Sequence, residues 1–233
     1  MRVFVIVLTI LLANITTVNA QLVNQETSNG EKEGRWVKHF DNNRVKYEGQ
    51  FHLNKPYGKF TYYYKSGEIK AVSDFSDDGR VADNVTYYQN GNIMAEGRFI
   101  NQKKDGVWKY YTEEADNALV SSETYSIGLL NGESITYYPE TGNIAESVFF
   151  KDGKKDGKLT KYFPDGTLMT ESYYKNGLPD GSFVHYHLDG KIQIEGEYVV
   201  GVQAGNWKYY DEEGKEVDEE AFKKQDEVGE IAE

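Results

Sequence analysis

Seven successive intervals of 24, 24, 24, 26, 25, 24 and 24 residues separate Gly34, Gly58, Ala82, Gly106, Gly132, Gly157, Gly181 and Gly205. Each opens a near-copy of one pattern, as Gly106-Val107-Trp108-Lys109-Tyr110-Tyr111 and Gly205-Asn206-Trp207-Lys208-Tyr209-Tyr210 show. A fixed period of this size marks a repeat array, so the fold is read unit by unit. Repeats recur for packing reasons, and a catalytic constellation would break the pattern.

Counting each unit from its opening glycine as zero, position 5 is Tyr63, Tyr87, Tyr111, Tyr162, Tyr186 and Tyr210, with His39 in the first unit. The fifth unit carries an extra residue; a one-residue offset places Tyr138 at position 5 and Ile135 at position 2. Position 2 is otherwise large and apolar: Trp36, Phe60, Trp108, Leu159, Phe183 and Trp207. The third unit offers Asn84 there, or Val85 if its register slips by one. Short runs of aromatic and β-branched residues bounded by Gly, Asp and Asn read as strands. A turn follows at position 9, with Gly67, Gly91, Gly142, Gly166, Gly190 and Gly214. The fourth unit departs from this, running Thr112-Glu113-Glu114-Ala115-Asp116-Asn117 without glycine, and its longer loop should protrude.

The second strand of each unit alternates. Val45, Ile69, Ile93, Ile144, Leu168 and Ile192 share parity with Phe51, Phe75, Phe99, Phe150, Tyr174 and Tyr198, and therefore share a face. Small residues sit between them on that face: Gly49, Ser73, Gly97, Ser172 and Gly196. A recurrent mid-strand glycine predicts that an aromatic ring from the next strand lies across it. The opposite parity is polar, the signature of an antiparallel sheet covered on one side. The unit is thus a β-hairpin. The chain is an all-β, elongated, single-layer antiparallel hairpin array of about eight units and about sixteen strands; its acidic end reads as a solvated tail, with a short C-terminal helix starting at Asp218 whose Phe222 caps the last unit as the alternative.

Composition fits a thin sheet. The apolar fraction is 39%, and 19 tyrosines supply amphipathic rings that bury the ring and keep the hydroxyl wet. Met1-Arg2, the apolar run Val3 to Leu12 and Val18-Asn19-Ala20 have the layout of a cleaved secretory signal. The organisation expected is a signal over 1–20, a linker over 21–33, the array over 34–214 and an acidic tail over 215–233. No integral membrane segment is expected once the signal is removed, and the chain is placed as periplasmic, outer-membrane-associated or secreted. There is no cysteine, so sheet packing alone must hold the exported chain. The net charge of −12 includes a run from Asp211 to Glu233 with eleven acids against three lysines, or −8. Such a surface repels nucleic acid and favours a basic protein partner.

Chemistry-bearing motifs are missing. There is no Cys nucleophile, no Gly-x-Ser-x-Gly elbow, no phosphate-binding glycine loop and no His-Glu-x-x-His. His185 and His187 are two apart on a strand and could give two metal ligands, but no third is evident, and they also fit as replacements for rings found there in other units. Glu48, Glu96, Glu171 and Glu195 recur once per unit and make a polar row in place of a glycosidase pair. The chain reads as non-enzymatic, without cofactor or metal. Two sets of residues are candidates for partner binding: Tyr62, Trp108, Tyr110, Trp207 and Tyr209 as a ring surface for partner side chains or a glycan, and Glu113, Glu114 and Asp116 on the long loop.

Glu96-Gly97-Arg98-Phe99 before Gly106-Val107-Trp108, Glu195-Gly196-Glu197-Tyr198 before Gly205-Asn206-Trp207, and Glu48-Gly49-Gln50-Phe51 before Gly58-Lys59-Phe60 together resemble the MORN repeat, and more closely its bacterial variant form. The resemblance implies an elongated hairpin array used for scaffolding, for protein contact or, in some eukaryotic members, for membrane association. Bacterial proteins of this variant type are also often labelled antitoxin components of toxin–antitoxin systems. The expectation is an exported scaffold that binds another protein in the cell envelope. An antitoxin-like neutraliser of a basic toxin and a carbohydrate-binding module are the alternatives.

Overall fold

The structure is a computed structural model that describes residues 22–223; residues 1–20, read as a signal, and residues 224–233 of the acidic end lie outside the described residues. One antiparallel sheet of 17 strands contains nearly all of it. The first strands of the eight units are β2 (Lys32–His39), β4 (Lys55–Tyr63), β6 (Val81–Tyr87), β8 (Lys103–Tyr111), β10 (Leu129–Tyr137), β12 (Lys154–Tyr162), β14 (Leu178–Tyr186) and β16 (Val202–Tyr210). The second strands are β3 (Val45–His52), β5 (Ile69–Ser76), β7 (Ile93–Ile100), β9 (Leu119–Ser126), β11 (Ile144–Lys151), β13 (Leu168–Lys175), β15 (Ile192–Val199) and β17 (Glu216–Val217). A short β1 (Gln25–Glu26), in the stretch read as a linker, pairs with the start of β2. Every strand pairs with the next in sequence, so the array is a pure meander.

The last unit is truncated. Its second strand is only two residues long, after which Asp218 turns the chain: its Oδ1 accepts the backbone N–H of Ala221 at 2.7 Å, as an N-cap does. A helical turn over 219–223 then lays Phe222, nearly buried, against Tyr209 at 5.3 Å between ring centroids. Of the two readings of this end, the aromatic cap is the one the described residues show.

Strand pairing sorts the side chains onto two faces. One row runs Trp36–Gly49, then Phe60–Ser73–Asn84–Gly97, then Trp108–Glu123–Ser134–Val148–Leu159–Ser172–Phe183–Gly196, and ends at Trp207. Phe60, Trp108, Val148 and Leu159 in this row are nearly buried and form the core of the ring face. A Cβ on Gly49, Gly97 or Gly196 would fall inside the ring of Phe60, Trp108 or Trp207, so the glycines admit the rings as expected. The phenyl groups beyond them close the packing edge-on, Phe51 on Phe60 at 5.2 Å and Phe99 on Trp108 at 4.7 Å.

Two register expectations need correction or choice. In the fifth unit Ser134, not Ile135, occupies the row, because Ser134 pairs with Glu123 and Val148. Position 5 is Tyr137, paired with Ile144, and Tyr138 follows at position 6. The extra residue is in the turn: Tyr138 N–H bonds to Asn143 O, five residues on, where Tyr64 N–H bonds to Glu68 O, four on. In the third unit Asn84 takes the row position and Val85 the opposite face.

Candidate binding surface

The ring candidates divide according to what already covers them. Trp108 is only 3% exposed, lies over Gly97 and donates its Nε1–H to Arg98 O at 3.0 Å. The Lys104 ammonium sits 4.9 Å from the ring centroids of Trp108, Tyr110 and Tyr125. Lys104 also hydrogen-bonds the Tyr110 hydroxyl, and Tyr125 donates to Glu123 at 2.6 Å. Burial first, and the neighbouring Tyr125 and Glu123 next, push the Tyr110 phenol well above its ordinary value. Trp207 packs between Phe183 at 5.5 Å and Tyr198 at 5.0 Å, and Tyr209 packs at a tilt against Phe222. Tyr62 is half-buried beside Tyr47 and Phe60, and burial raises its pKa. These rings are mostly used in packing the array. Among the described residues the rings with the largest fractional exposure are Tyr57, Phe149 and Tyr173, each above 40% exposed and each on the opposite, polar face.

The recurring glutamates form rungs on that polar face, as expected of a row. Tyr63, Tyr111 and Tyr210 donate their hydroxyls to Glu48, Glu96 and Glu195 at 2.7, 2.7 and 2.8 Å. Arg35 pairs with Glu48 at 2.8 Å, Lys208 with Glu195 at 3.1 Å, and Lys158 with Glu171. Hydrogen bonds from Arg35 and Tyr63 hold Glu48 below the usual carboxylate range, and those from Tyr210 and Lys208 do the same for Glu195. Burial and the bond to Glu96 push Tyr111 up to about 12. Each acid is shared with its neighbours in a structural rung.

A second ladder was not anticipated from the sequence. The position-6 hydroxyls of Tyr64, Tyr88 and Tyr138 donate to the position-5 carbonyls of the following units, Tyr87, Tyr111 and Tyr162, at 2.7 to 2.9 Å. His187 repeats this bond with Nε2 to Tyr210 O at 3.3 Å, and His185 Nδ1 meets Thr170 Oγ1 at 2.8 Å. Both histidines thus stand in ring positions of the repeat.

The long loop of the fourth unit, on the turn edge of the ribbon, is pinned by its backbone. Asn90 Nδ2 donates to Glu113 O at 2.7 Å, Asn92 Nδ2 donates to Glu114 O at 2.6 Å, and Asn117 Oδ1 accepts from Ile93 N–H at 3.1 Å. Glu113, Glu114 and Asp116 are exposed, and Thr112 Oγ1 reaches Asp116 at 3.5 Å. The acids are therefore held outward on a fixed backbone. The fold does not bring them to Trp207 or Tyr209, which lie on β16, eight strands away.

The third unit is the main irregularity of the ring face. In the six other pairings between one unit and the next, the register shifts by two residues beside the opening glycine; Gly58 and Gly106 there have φ of 61° and 70°. Ala82 replaces that glycine, and β5 pairs with β6 without a shift. A side chain at positive φ is strained, so the bulge is lost with the glycine. β6 has seven residues where β4 and β8 have nine, and the loop before it, 77–80, has four where 53–54 has two.

Three segments, residues 83–101, 155–176 and 179–199, match the family model of the MORN repeat variant. No curated protein matches the chain. Among solved structures, a mutant of S. aureus TarM shares 14% identity over 42% of this chain and 19% of that one, with a TM-score of 0.31. The TcdB2–TccC3–Cdc42 structure shares 10% identity over 76% of this chain and 13% of that one, with a TM-score of 0.18. The chain thus spans less than a fifth of the length of either, and at such TM-scores the likenesses bear on neither its fold nor its function. No helix among the described residues is long and apolar enough to cross a membrane.

Proposed function

We propose that the chain is an exported, non-enzymatic repeat scaffold that holds another protein in the cell envelope. The observation that carries the protein-binding part is the fourth-unit loop. Its backbone is tied to the neighbouring turn through Asn90, Asn92 and Asn117, while Glu113, Glu114 and Asp116 face solvent. An ordered backbone that presents charge loses less entropy on binding than a floppy one. Opposite charge on the partner would steer its approach, which points to a basic protein. Export rests on the layout of Met1 to Ala20. The same acids would serve a neutraliser of a basic toxin. A glycan module is less favoured, because Trp108 and Tyr209 are already covered by neighbouring side chains.

The test is capture by the full chain from the envelope fraction of its native cells, followed by sequencing of its N-terminus. The reading expects Gln21 at the mature terminus and salt-sensitive capture of a basic protein. Capture should weaken in the triple variant Glu113→Gln, Glu114→Gln, Asp116→Asn. An intact Met1 on cytosolic protein, or capture indifferent to both salt and the triple variant, contradicts it.

A further inference from the structure

The ring row of the array has a matched pair of sites that differ in one side chain. In the seventh unit Phe183 pairs with Ser172 on one side and Gly196 on the other, and Trp207 follows. In the third unit Asn84 pairs with Ser73 on one side and Gly97 on the other, and Trp108 follows. The next row is also thinned there. Where the seventh unit has His185 between Thr170 and Ile194, the third has Thr86 between Ala71 and Ala95. A ring is missing from a place built for one.

The result is an open cavity of about 290 Å³ on the ring face. Tyr62, Phe75 and Phe99 line it, and Ser73 and Asn84, both nearly buried, form its floor. Phe75 and Phe99 occupy the strand positions of Tyr174 and Tyr198, and Tyr198 meets the Phe183 ring edge-on at 6.0 Å. Asn84 donates its Nδ2–H to Ser73 Oγ at 2.7 Å, which leaves the amide oxygen as the acceptor end of that side chain. Arg80 at the rim is paired with Asp77 at 2.6 Å, so the site gains no net charge from it. Aromatic walls, a neutral rim and an amide acceptor at the floor suit a flat ring that carries an N–H.

We infer that this cavity receives a tryptophan side chain from the protein partner, with the indole ring between Phe75 and Phe99 and its N–H directed to Asn84 Oδ1. The inference rests on the scaffold reading and adds a specificity site to it. The size of the missing ring, the sister rings of the array and the amide at the floor select this occupant over an aliphatic or an anionic group. Polar groups buried at the floor penalise a ligand that cannot pair with them.

The probe is N-acetyl-L-tryptophanamide, titrated into the full chain and followed through backbone amide shifts. The expected result is saturable shifts confined to β5, β6 and β7 around Ser73, Asn84 and Phe99, with N-acetyl-L-leucinamide at least tenfold weaker. Asn84→Phe, which recreates the Ser172–Phe183–Gly196 row, should weaken the probe at least tenfold. Shifts elsewhere, equal binding of the leucine probe, or unchanged binding to Asn84→Phe would overturn the inference. Should that variant not fold, the shift map and the two probes on the unaltered chain decide alone. The triple loop variant should bind the probe as the unaltered chain does. Loss of the probe with salt-sensitive capture intact removes the ring site only, whereas loss of capture with the probe intact removes the charge-based scaffold reading only.

Discussion

The third and seventh units share a period, a strand order and the same neighbours in the ring row, yet one is filled by Phe183 and the other left open over Asn84. The seventh unit keeps its opening glycine, Gly181 at φ 122°, and the two-residue register shift beside it. The third has Ala82 and pairs without a shift. Packing in such an array is nearest-neighbour, so a unit can lose its ring if the units on either side carry theirs. Trp108 with Phe99 on one side and Phe60 with Phe75 on the other flank the gap. The difference teaches that a unit can lose both its opening glycine and its ring, leaving a vacancy without interrupting the sheet.

The largest effect should come from breaking an intact unit. Trp108→Ala removes a buried indole and should cost about 3–5 kcal/mol in chemical denaturation. Gly97→Ala places a methyl inside the Trp108 ring and should cost about 1–3 kcal/mol through overpacking. Tyr88→Phe deletes the bond to Tyr111 O that ties one unit to the next; about 1 kcal/mol is expected from equilibrium unfolding. Lys109→Ala, exposed on the other face one residue from Trp108, should change stability by less than about 0.5 kcal/mol. Equal losses for Trp108→Ala and Lys109→Ala would mean that the ring row is not a core.

The polar rungs set the pH dependence, and its two signs differ. Glu48 and Glu195 have lowered values, so their contribution is present above the ordinary carboxylate range and is lost as pH falls through the lowered folded values. Tyr111 is raised to about 12, so its contribution is present below the ordinary phenol value and is lost as pH rises through about 12. Melting temperature against pH should therefore fall at both ends around a plateau. Tyr111→Phe should remove the contribution of that tyrosine from the alkaline limb and leave the acid limb contributed by Glu48 and Glu195.

Much of this architecture was legible in the period and in residue parity. The hairpin units, the glycines under Phe60, Trp108 and Trp207 and the glutamate row all follow from residues that recur at fixed offsets, and the Phe222 cap was one of two readings of the acidic end. The offset of the fifth unit was misplaced because Ser134-Ile135 and Tyr137-Tyr138 each offer an acceptable neighbour in the shifted register. Gly132 settles it, since its φ of 122° fixes where the bulge begins. The vacancy of the third unit was hidden for a different reason. Two residues leave the strand and two join the loop, so the interval stays at 24. Asn84 and Ala82 at ring and glycine positions were the available signals. The position-6 ladder depends on a hydroxyl reaching the next unit's carbonyl across the sheet, a distance that periodicity alone does not contain.

The most direct test of the vacancy is the unfolding free energy of Asn84→Phe, measured beside its mirror, Phe183→Asn. Filling the third unit adds apolar burial in a row already shaped for a ring, and emptying the seventh removes a ring from a filled site. The account predicts that Asn84→Phe is as stable as the unaltered chain or more so, by up to about 2 kcal/mol, while Phe183→Asn loses about 3 kcal/mol. A loss of about 2 kcal/mol or more in Asn84→Phe would mean that the third unit has no room for a ring, and would contradict the account.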